Sequence, residues 1–283
     1  MTGTQRIGRL GDKVCIVTGG GSGLGRDAAQ LFASEGAIVI AADVNAARSE
    51  ETAALITAAG GQCVAATANV ATEAEVASLC DRAIAEFGRL DVMMANAGIV
   101  SATSTTPFNE ITEDEWQRVI GVNLTGTFLT LKHAVRVMKP RRAGSIVVTS
   151  SLAALVAWPS VAPYVASKGG VNALVRAAAL DVGGYGIRVN AICPSQGMSA
   201  NFMMAADAPV LGKSYAEVAP SWDPMATAMP LKLDRPPSLR DNAYAALFLA
   251  SDDSAYMSGV SMPTCDGGQL ARVANSMNPL PAL

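Results

Sequence analysis

The sequence predicts an α/β protein, in which a doubly wound parallel sheet of seven strands carries helices on both faces. Seven short runs of apolar and β-branched residues alternate along the chain with longer stretches of helical period. Such alternation favours a parallel sheet with right-handed crossovers. Half of the 283 residues are hydrophobic and 16% are charged, which is enough to build a large core. No linker or repeat divides the chain, so we predict one domain over residues 1–283.

The strands and helices follow from local patterns. Residues 72–87 are typical of the helical stretches, because Val76 and Leu79 begin an apolar series at helical spacing. Thr72 and Glu75 predict a capping box at the start of this helix. The seven predicted strands cover residues 13–18, 37–42, 62–68, 90–95, 144–150, 187–193 and 260–263.

One segment, residues 195–237, breaks the strand–helix rhythm. It carries five methionines and several prolines, together with Phe202 and Trp222. Irregular segments of this length within a domain are usually functional lids. We predict a substrate lid here, with a disordered insertion as the alternative.

Composition excludes several classes of protein. A net charge of −3 gives no basic footprint for nucleic acid. No apolar run is long enough to cross a membrane, and the first residues do not resemble a secretory signal. The five cysteines show no CxxC spacing and His133 is the only histidine, so neither a zinc site nor a Ser-His-Asp triad is expected. We expect a soluble cytoplasmic protein with reduced thiols that acts on a small molecule.

A glycine-rich turn at residues 19–25 connects the first strand directly to a helix. Glycines allow the backbone to approach a pyrophosphate, and the helix N-terminus supplies free N–H groups, as in the Rossmann dinucleotide fold. Asp43 ends the second strand, where a carboxylate accepts hydrogen bonds from ribose hydroxyls and repels a 2′-phosphate. No Arg or Lys lies in the turn or directly after Asp43, which favours NAD over NADP. A helix cap at Asp43 and an adenosyl-dependent methyltransferase remain alternatives at this point.

Tyr164 and Lys168 are four residues apart and share one face of a predicted helix. A neighbouring cation favours the phenolate and lowers the tyrosine pKa from its usual value of about 10. Such a phenol can exchange a proton with an alcohol or a carbonyl oxygen. A methyltransferase has no use for this pair.

With these motifs, the chain resembles the short-chain dehydrogenase/reductase family over residues 13–268. Thr18 and the glycine turn resemble the family's Thr-Gly-x-x-x-Gly-x-Gly loop. Ser151 lies thirteen residues before Tyr164, as the family's serine does. Further matches are Asn96, Ala97 and Gly98 (with Ala95 in place of a first Asn), Asn123, Pro194, and Asp266, Gly267 and Gly268.

The resemblance implies a role for each matching residue. Tyr164 would be the acid/base, Lys168 would sustain its phenolate, Ser151 would hold the substrate oxygen, and Asn123 would join a proton relay through water. It also implies a homotetramer with the helices around Asn123 and Tyr164 at an interface. The residues expected to bind NAD are Gly19, Gly21, Ser22, Gly23, Leu24, Gly25, Asp43, Asn69, Val70, Asn96, Ala97, Gly98, Tyr164, Lys168, Pro194, Gly197 and Ser199.

Three positions depart from the family pattern. Ser195 follows Pro194 where the family usually has glycine, so the turn there can differ. Gly197 and Ser199 stand where an aliphatic residue and a threonine are common. Asn69 replaces the usual aspartate near adenine, and its amide can still accept a hydrogen bond.

The substrate is predicted to be a moderately hydrophobic secondary alcohol or ketone. Residues 153–161 and the lid are apolar, and methionine adapts to irregular shapes. Lys213, Lys232 and Arg235 leave a 3-oxoacyl-thioester reductase as an alternative, and a non-catalytic dinucleotide-sensing scaffold as another. The predicted substrate contacts are Ser151, Ala153, Trp158, Tyr164, Ser195 and Phe202.

Overall fold

A computed structural model describes residues 8–100, 106–157, 159–203, 209–210, 212–219, 221–226, 229 and 231–265. Trp158, Asp266, Gly267 and Gly268 lie outside the described residues. The strands are β1 (Val14–Thr18), β2 (Ile38–Asp43), β3 (Gln62–Thr67), β4 (Val92–Ala95), β5 (Gly144–Thr149), β6 (Ile187–Pro194) and β7 (Ser261–Thr264). All seven predicted strands are confirmed, with ends shifted by no more than two residues.

The strands form one parallel sheet in the order β3-β2-β1-β4-β5-β6-β7. The chain runs outward from β1 to β3 and then crosses back to place β4 on the other side of β1. This reversal makes the carboxyl ends of β1 and β4 the switch point of the sheet, where open α/β folds bind ligands. The predicted doubly wound α/β fold is confirmed.

Helices cover both faces of the sheet. They are α1 (Gly23–Ser34), α2 (Ala46–Ala58), α3 (Glu73–Phe87), α4 (Glu113–Ile120), α5 (Gly126–Met138), α6 (Ala162–Val182), α7 (Tyr215–Val218) and α8 (Leu239–Ala250). Apolar residues of α1, α2 and α8 pack on one face, and those of α3, α5 and α6 pack on the other. Central strands such as β1 and β4 are buried on both sides and consist of continuous apolar runs, which is why the sequence predicts them well. None of the helices in the described part of the chain is long and apolar enough to span a membrane.

The amide of Asn96 connects the ends of the three central strands. Its backbone N–H donates to Thr18 Oγ1 at 3.0 Å, and its Nδ2 donates to the Thr18 carbonyl at 3.1 Å. Its Oδ1 accepts from Thr149 Oγ1 at 3.0 Å. The ends of β1, β4 and β5 are thereby held together where the switch point opens.

Helix α3 begins where predicted, but the capping box is wrong. Within the described residues, the Thr72 side chain makes no capping hydrogen bond. The Thr72 N–H donates to the Asn69 carbonyl at 3.0 Å, and the Glu75 carboxylate accepts from the Asn69 N–H at 2.8 Å. The Thr72 N–H and the Glu75 carboxylate, which would bond to each other in a capping box, are therefore both hydrogen-bonded to the backbone of Asn69 instead.

The described parts of residues 195–237 contain short helical turns and α7. Ser199 and Ser214 form an antiparallel bridge, so the segment folds back on itself. Ser214 caps α7 in a capping box with Glu217, and its hydroxyl donates to the Pro237 carbonyl at 2.6 Å. Whether the segment acts as a lid stays a prediction.

Candidate active site

A cleft of about 850 Å³ opens at the carboxyl ends of the strands. It is lined by residues from the glycine turn, the ends of β2 to β6, the start of α6 and the segment after β6. Gly21, Gly25, Asn123, Ala153 and Ser195 are buried and do not line this cleft. The predicted residues that line the cleft are Gly19, Ser22, Gly23, Leu24, Asp43, Asn69, Val70, Asn96, Ala97, Gly98, Ser151, Tyr164, Lys168, Pro194, Gly197, Ser199 and Phe202.

The glycine turn has the geometry that a diphosphate requires. Gly19 and Gly23 adopt positive φ values of 64° and 51°. A Cβ on Gly25 would lie 2.1 Å from the Gly19 carbonyl oxygen, so only glycine lets α1 approach the turn this closely. In the described structure the Ser22 side chain does not cap α1, and the first N–H groups of a helix lack intrahelical partners. Since Ser22, Gly23 and Leu24 line the cleft, these donors fit a bound diphosphate.

Asp43 lies beside the turn. Its Oδ2 accepts from the Gly21 N–H at 3.0 Å, and its Oδ1 accepts from the Asn45 N–H at 3.0 Å. The N-cap of α2 is Asn45, whose side chain accepts from the Arg48 N–H, so Asp43 itself is not the cap. Its carboxylate lines the cleft and retains lone pairs that can accept from a hydroxyl group.

The segment after β6 lies over the glycine turn. Gly197 has a φ of 64°, and a Cβ there would lie 2.4 Å from the Ser238 carbonyl oxygen. A Cβ on Gly23 would lie 2.8 Å from Ser199 Oγ, which places Ser199 directly above the turn. Ser195, in contrast, donates its hydroxyl to the Thr264 carbonyl at 3.2 Å and is buried against β7.

Tyr164 and Lys168 share one face of α6, as predicted, and both are buried. Lys168 Nζ lies 5.7 Å from the centroid of the Tyr164 ring and donates to the Thr149 carbonyl at 2.7 Å. The Ser151 hydroxyl lies near the Tyr164 phenol, where it favours the charged form and so lowers the Tyr164 pKa. The Ser151 oxygen also accepts from the Ala153 N–H at 3.1 Å, which fixes its position.

The prediction that Lys168 lowers the pKa of Tyr164 is wrong, because the pKa of Tyr164 is raised in this structure. Burial raises the pKa of Tyr164 to about 12, and the Ser151 hydroxyl offsets only part of that rise. Burial also lowers the pKa of Lys168 to about 8. Burial therefore shifts both groups toward their neutral forms, because the removal of water outweighs their proximity, although Lys168 still carries its charge below pH 8.

Asn123 lies at the π-helical turn Gly121–Thr125, which joins α4 to α5. Its Nδ2 donates to the Ile99 carbonyl at 2.8 Å and to Ser167 Oγ at 3.1 Å, while its Oδ1 accepts from the Ile99 N–H at 2.8 Å. A Cβ on Gly98 would lie 3.4 Å from Asn123 Oδ1 and 3.5 Å from Lys168 Nζ. Asn123 thus stands close to Lys168 across Gly98, and the water-mediated relay stays a prediction.

An apolar wall adjoins the phenol. Val119, Ala153 and Tyr164 form a buried cluster, against which Phe202 packs. The rings of Phe202 and Tyr164 meet edge to face, with centroids 5.9 Å apart and an interplanar angle of 67°. This wall can exclude water from a reacting oxygen at the phenol.

Sequence reasoning missed several residues that line the cleft. Arg48 does not adjoin Asp43 in the sequence, and the first turn of α2 brings it to the cleft. Arg118 reaches the cleft from α4 and donates to the Val100 carbonyl at 3.1 Å. Thr149 and Met198 also line it, and no local motif marks them.

Metal and disulfide chemistry find no support in the described residues. No group of three His, Cys, Asp or Glu side chains within them could hold a metal ion. The five cysteines are free thiols. His133, which is buried on α5, instead contacts the exposed Glu73 carboxylate of α3 at 3.1 Å.

Comparison with known proteins agrees with this architecture. A sequence profile of the short chain dehydrogenases matches residues 13–208. The mitochondrial borneol dehydrogenase of Lavandula x intermedia is 38% identical over 260 residues, which are 92% of this chain and 91% of that protein. The cis-4-hydroxycyclohexanecarboxylate dehydrogenase of Sinomonas cyclohexanicum is 38% identical over 261 residues, which are 92% and 97% of the two chains. The crystal structure of levodione reductase superposes with a TM-score of 0.78 at 31% identity, and covers 94% of this chain and all of that chain. This chain is therefore an oxidoreductase of the short-chain dehydrogenase/reductase family.

Proposed function

We propose that the protein transfers a hydride between NAD(H) and a hydrophobic, cyclic secondary alcohol or its ketone, with Tyr164 as the acid/base. The observation that carries this proposal is the position of the Ser151, Tyr164 and Lys168 group. These buried side chains line the same cleft as the glycine turn and Asp43. A dinucleotide bound along the cleft would therefore extend from the turn to the phenol.

The cofactor half of the proposal rests on the available donors and acceptors. The N–H groups of Ser22, Gly23 and Leu24 would hold the diphosphate, and Asp43 would accept from the adenosine ribose. Lys168 would reach the second ribose. NAD⁺, when bound, supplies the hydride acceptor and a positive charge near the phenol.

The remaining chemistry belongs to the side chains of this protein. Ser151 would hold the substrate oxygen by a hydrogen bond and orient it toward Tyr164 Oη. In alcohol oxidation, Tyr164 would take the hydroxyl proton, and in ketone reduction it would return a proton to the carbonyl oxygen. Because burial raises the pKa of Tyr164, the phenolate needs a further positive charge, which Lys168 and the oxidised cofactor would provide.

The apolar wall supports a hydrophobic substrate. Val119, Ala153 and Phe202 pack around the Tyr164 ring, and of these three residues Phe202 lines the cleft. The relatives named above act on borneol and on a hydroxycyclohexanecarboxylate, and both compounds carry their hydroxyl group on a ring. A thioester reductase has less support, because Arg235 is paired with Asp241 at 2.7 Å and Lys232 donates to the Pro224 carbonyl at 2.8 Å.

The direct test is reduction of NAD⁺, with NADP⁺ in parallel, over cyclic, aliphatic and polyol secondary alcohols at mildly alkaline pH. We expect turnover of cyclic members with NAD⁺. Tyr164→Phe should still bind NADH but lose at least about 10²-fold in kcat. Tyr256→Phe, at a fully exposed tyrosine, is the matched control and should behave as wild type. Wild-type turnover by Tyr164→Phe would refute the mechanism, and NADH binding without turnover on any alcohol would favour the sensing scaffold.

We also propose a homotetramer. Phe128 on α5 and Leu180 on α6 are 47% and 85% exposed, so both of these adjacent helices present a large apolar side chain to solvent. Burial between subunits would remove this apolar surface from water. Light scattering should give four times the 29.0 kDa chain mass, and a monomer would contradict the proposal.

A further inference from the structure

Asn242 is a fully buried amide in the first turn of α8, and the proposed chemistry does not use it. It borders the cleft together with Gly197 and Met198 of the segment after β6. Its Nδ2 donates to the Gln196 carbonyl at 2.8 Å and to the Gly197 carbonyl at 3.2 Å. Its Oδ1 accepts from Thr264 Oγ1 at 2.6 Å. One side chain therefore joins α8, β7 and the segment that lies over the glycine turn.

The orientation of this amide is fixed by its partners. Backbone carbonyls can only accept hydrogen bonds, so the Nδ2 group must face Gln196 and Gly197. The Oδ1 atom then faces Thr264, whose hydroxyl must donate. Leucine at this place would offer no hydrogen bond, and aspartate would set a charged acceptor against two carbonyl oxygens. Position 242 therefore requires a group that both donates and accepts.

Ser195 and Gly197 strengthen the same attachment. The N–H and the hydroxyl of Ser195 both donate to the Thr264 carbonyl, each at 3.2 Å. A Cβ on Gly197 would lie 2.9 Å from Asn242 Nδ2 and 2.4 Å from the Ser238 carbonyl oxygen, so this close approach to α8 needs glycine. Two of the positions at which the chain departs from the family pattern are therefore the ones that contact β7 and α8.

The first turn of α8 is also fixed relative to the glycine turn. Arg240 donates through Nε and Nη2 to the two carboxylate oxygens of Asp27, each at 2.9 Å. Asp27 lies on α1, the helix that begins within the glycine turn. Because Arg240 and Asn242 are two residues apart in α8, one helical turn holds both α1 and the segment after β6. The position of the segment above the glycine turn is therefore set through α8.

The hydrogen bonds of Asn242 also orient two peptide groups. In a planar trans peptide, the C=O of one residue and the N–H of the next point in opposite directions. Because the Gln196 and Gly197 carbonyls are directed at Asn242, the N–H groups of Gly197 and Met198 are directed away from it. Both of these residues line the cleft, so their N–H groups can face a ligand there. Loss of the amide would leave both peptide groups free to rotate.

We propose that Asn242 is a positioning residue for the cofactor, which holds the segment after β6 in place over the nicotinamide half. Asn242 is fully buried and so acts through the backbone of Gln196 and Gly197 rather than by contact with the cofactor. The adenosine end of the cofactor, at Asp43, does not depend on this amide. The inference rests on the proposed function, because it assumes that the nicotinamide half lies beneath the segment.

The test measures binding of NADH by fluorescence and of 5′-AMP by calorimetry, since AMP reaches only the adenosine end. The proteins are wild type, Asn242→Leu, Thr264→Val and Thr264→Ser, each checked for folding by circular dichroism. Leucine is close to asparagine in size but makes no hydrogen bonds. Thr264→Val removes only the hydroxyl that donates to Asn242 and serves if Asn242→Leu does not fold, whereas Thr264→Ser keeps that hydroxyl. Asn109→Leu, at an exposed asparagine, is the matched control.

Asn242→Leu should lower NADH affinity by about 10- to 10²-fold, the range for two lost hydrogen bonds, while AMP affinity changes by less than about threefold. Thr264→Val should lower NADH affinity by a smaller factor, and Thr264→Ser and Asn109→Leu should match wild type. Parallel losses of NADH and AMP affinity would mean a general structural role and would overturn the positioning role, as would unchanged NADH affinity in Asn242→Leu and Thr264→Val. A wild type that binds AMP but not NADH would instead overturn the cofactor assignment.

Discussion

Replacement of Lys168 by methionine is expected to change the stability of the protein in a way that depends on pH. Lys168 is 4% exposed, and burial lowers its pKa from the ordinary 10.5 to about 8. Below pH 8 the folded protein must bury an ammonium group that the unfolded chain exposes to water. A pKa shift of one unit corresponds to ~1.4 kcal/mol. The lowering of the Lys168 pKa from 10.5 to about 8 therefore means that burial of this charge destabilises the folded protein by about 3 kcal/mol.

The sign of the pH dependence follows from where the proton is bound. Between pH 8 and pH 10.5 the unfolded chain holds the Lys168 proton and the folded protein does not, so wild-type stability rises with pH in this window. Methionine cannot titrate. From pH 7 to pH 10, the free energy of unfolding of the wild type should therefore rise by roughly 2.5 kcal/mol relative to that of Lys168→Met.

At pH 7 two effects of the substitution oppose each other. The variant avoids burial of a charge, but it leaves the Thr149 carbonyl without its donor at a cost of about 1–3 kcal/mol. We expect Lys168→Met to be as stable as wild type at pH 7, or more so, although it should lose activity.

The assay is urea denaturation of both proteins at equal concentration, followed by circular dichroism at pH 7, 8.5 and 10. Titration of other groups is common to both proteins and cancels in the difference. A stability difference that stays constant from pH 7 to pH 10 would refute the reasoning, since it would mean that Lys168 titrates as it does in water.

Three further outcomes are expected. Gly25→Ala should abolish NADH binding measured by fluorescence, because its Cβ would overlap the Gly19 carbonyl at 2.1 Å; retained affinity would contradict the close approach of α1. Asn123→Ala removes three hydrogen bonds and should lower the urea unfolding free energy by about 2–5 kcal/mol, and a loss below 1 kcal/mol would argue against their importance. Phe202→Ala admits water to the phenol, which lowers the Tyr164 pKa from about 12 and should move the pH–rate profile for alcohol oxidation to lower pH; a profile at unchanged or higher pH would exclude that role for Phe202.

The sequence predicts most of this fold because the signal is local. Strands such as β1 are buried on both faces and consist of unbroken apolar runs, and the turn after β1 is marked by its own glycines. The capping box failed because Thr72 and Glu75 have the right spacing, whereas the competing acceptor and donor at Asn69 depend on the conformation of the turn before the helix. Spacing alone does not report that conformation.

The candidate site was predictable where residue type and spacing carry the chemistry. The positions of Tyr164 and Lys168 followed from helical geometry, but their protonation did not, because desolvation arises from distant residues such as Phe202. Arg48 and Arg118 were missed because the cleft brings together the first turn of α2 and the last turn of α4, which are far apart in the sequence. The π-helical turn at Asn123 has no sequence signature of its own.

The hydrogen bonds of Asn96 connect the two halves of the cleft. One amide binds β1, which leads into the glycine turn, and also Thr149, whose carbonyl holds Lys168. The pairing of β1, β4 and β5 sets the distance between the place for the diphosphate and the place for the proton, and this one side chain ties the ends of the three strands together. A shorter residue at position 96 would remove these ties and loosen the glycine turn relative to Lys168. Nucleotide affinity could then survive while the alignment of donor carbon and acceptor ring, to which hydride transfer is most sensitive, is lost.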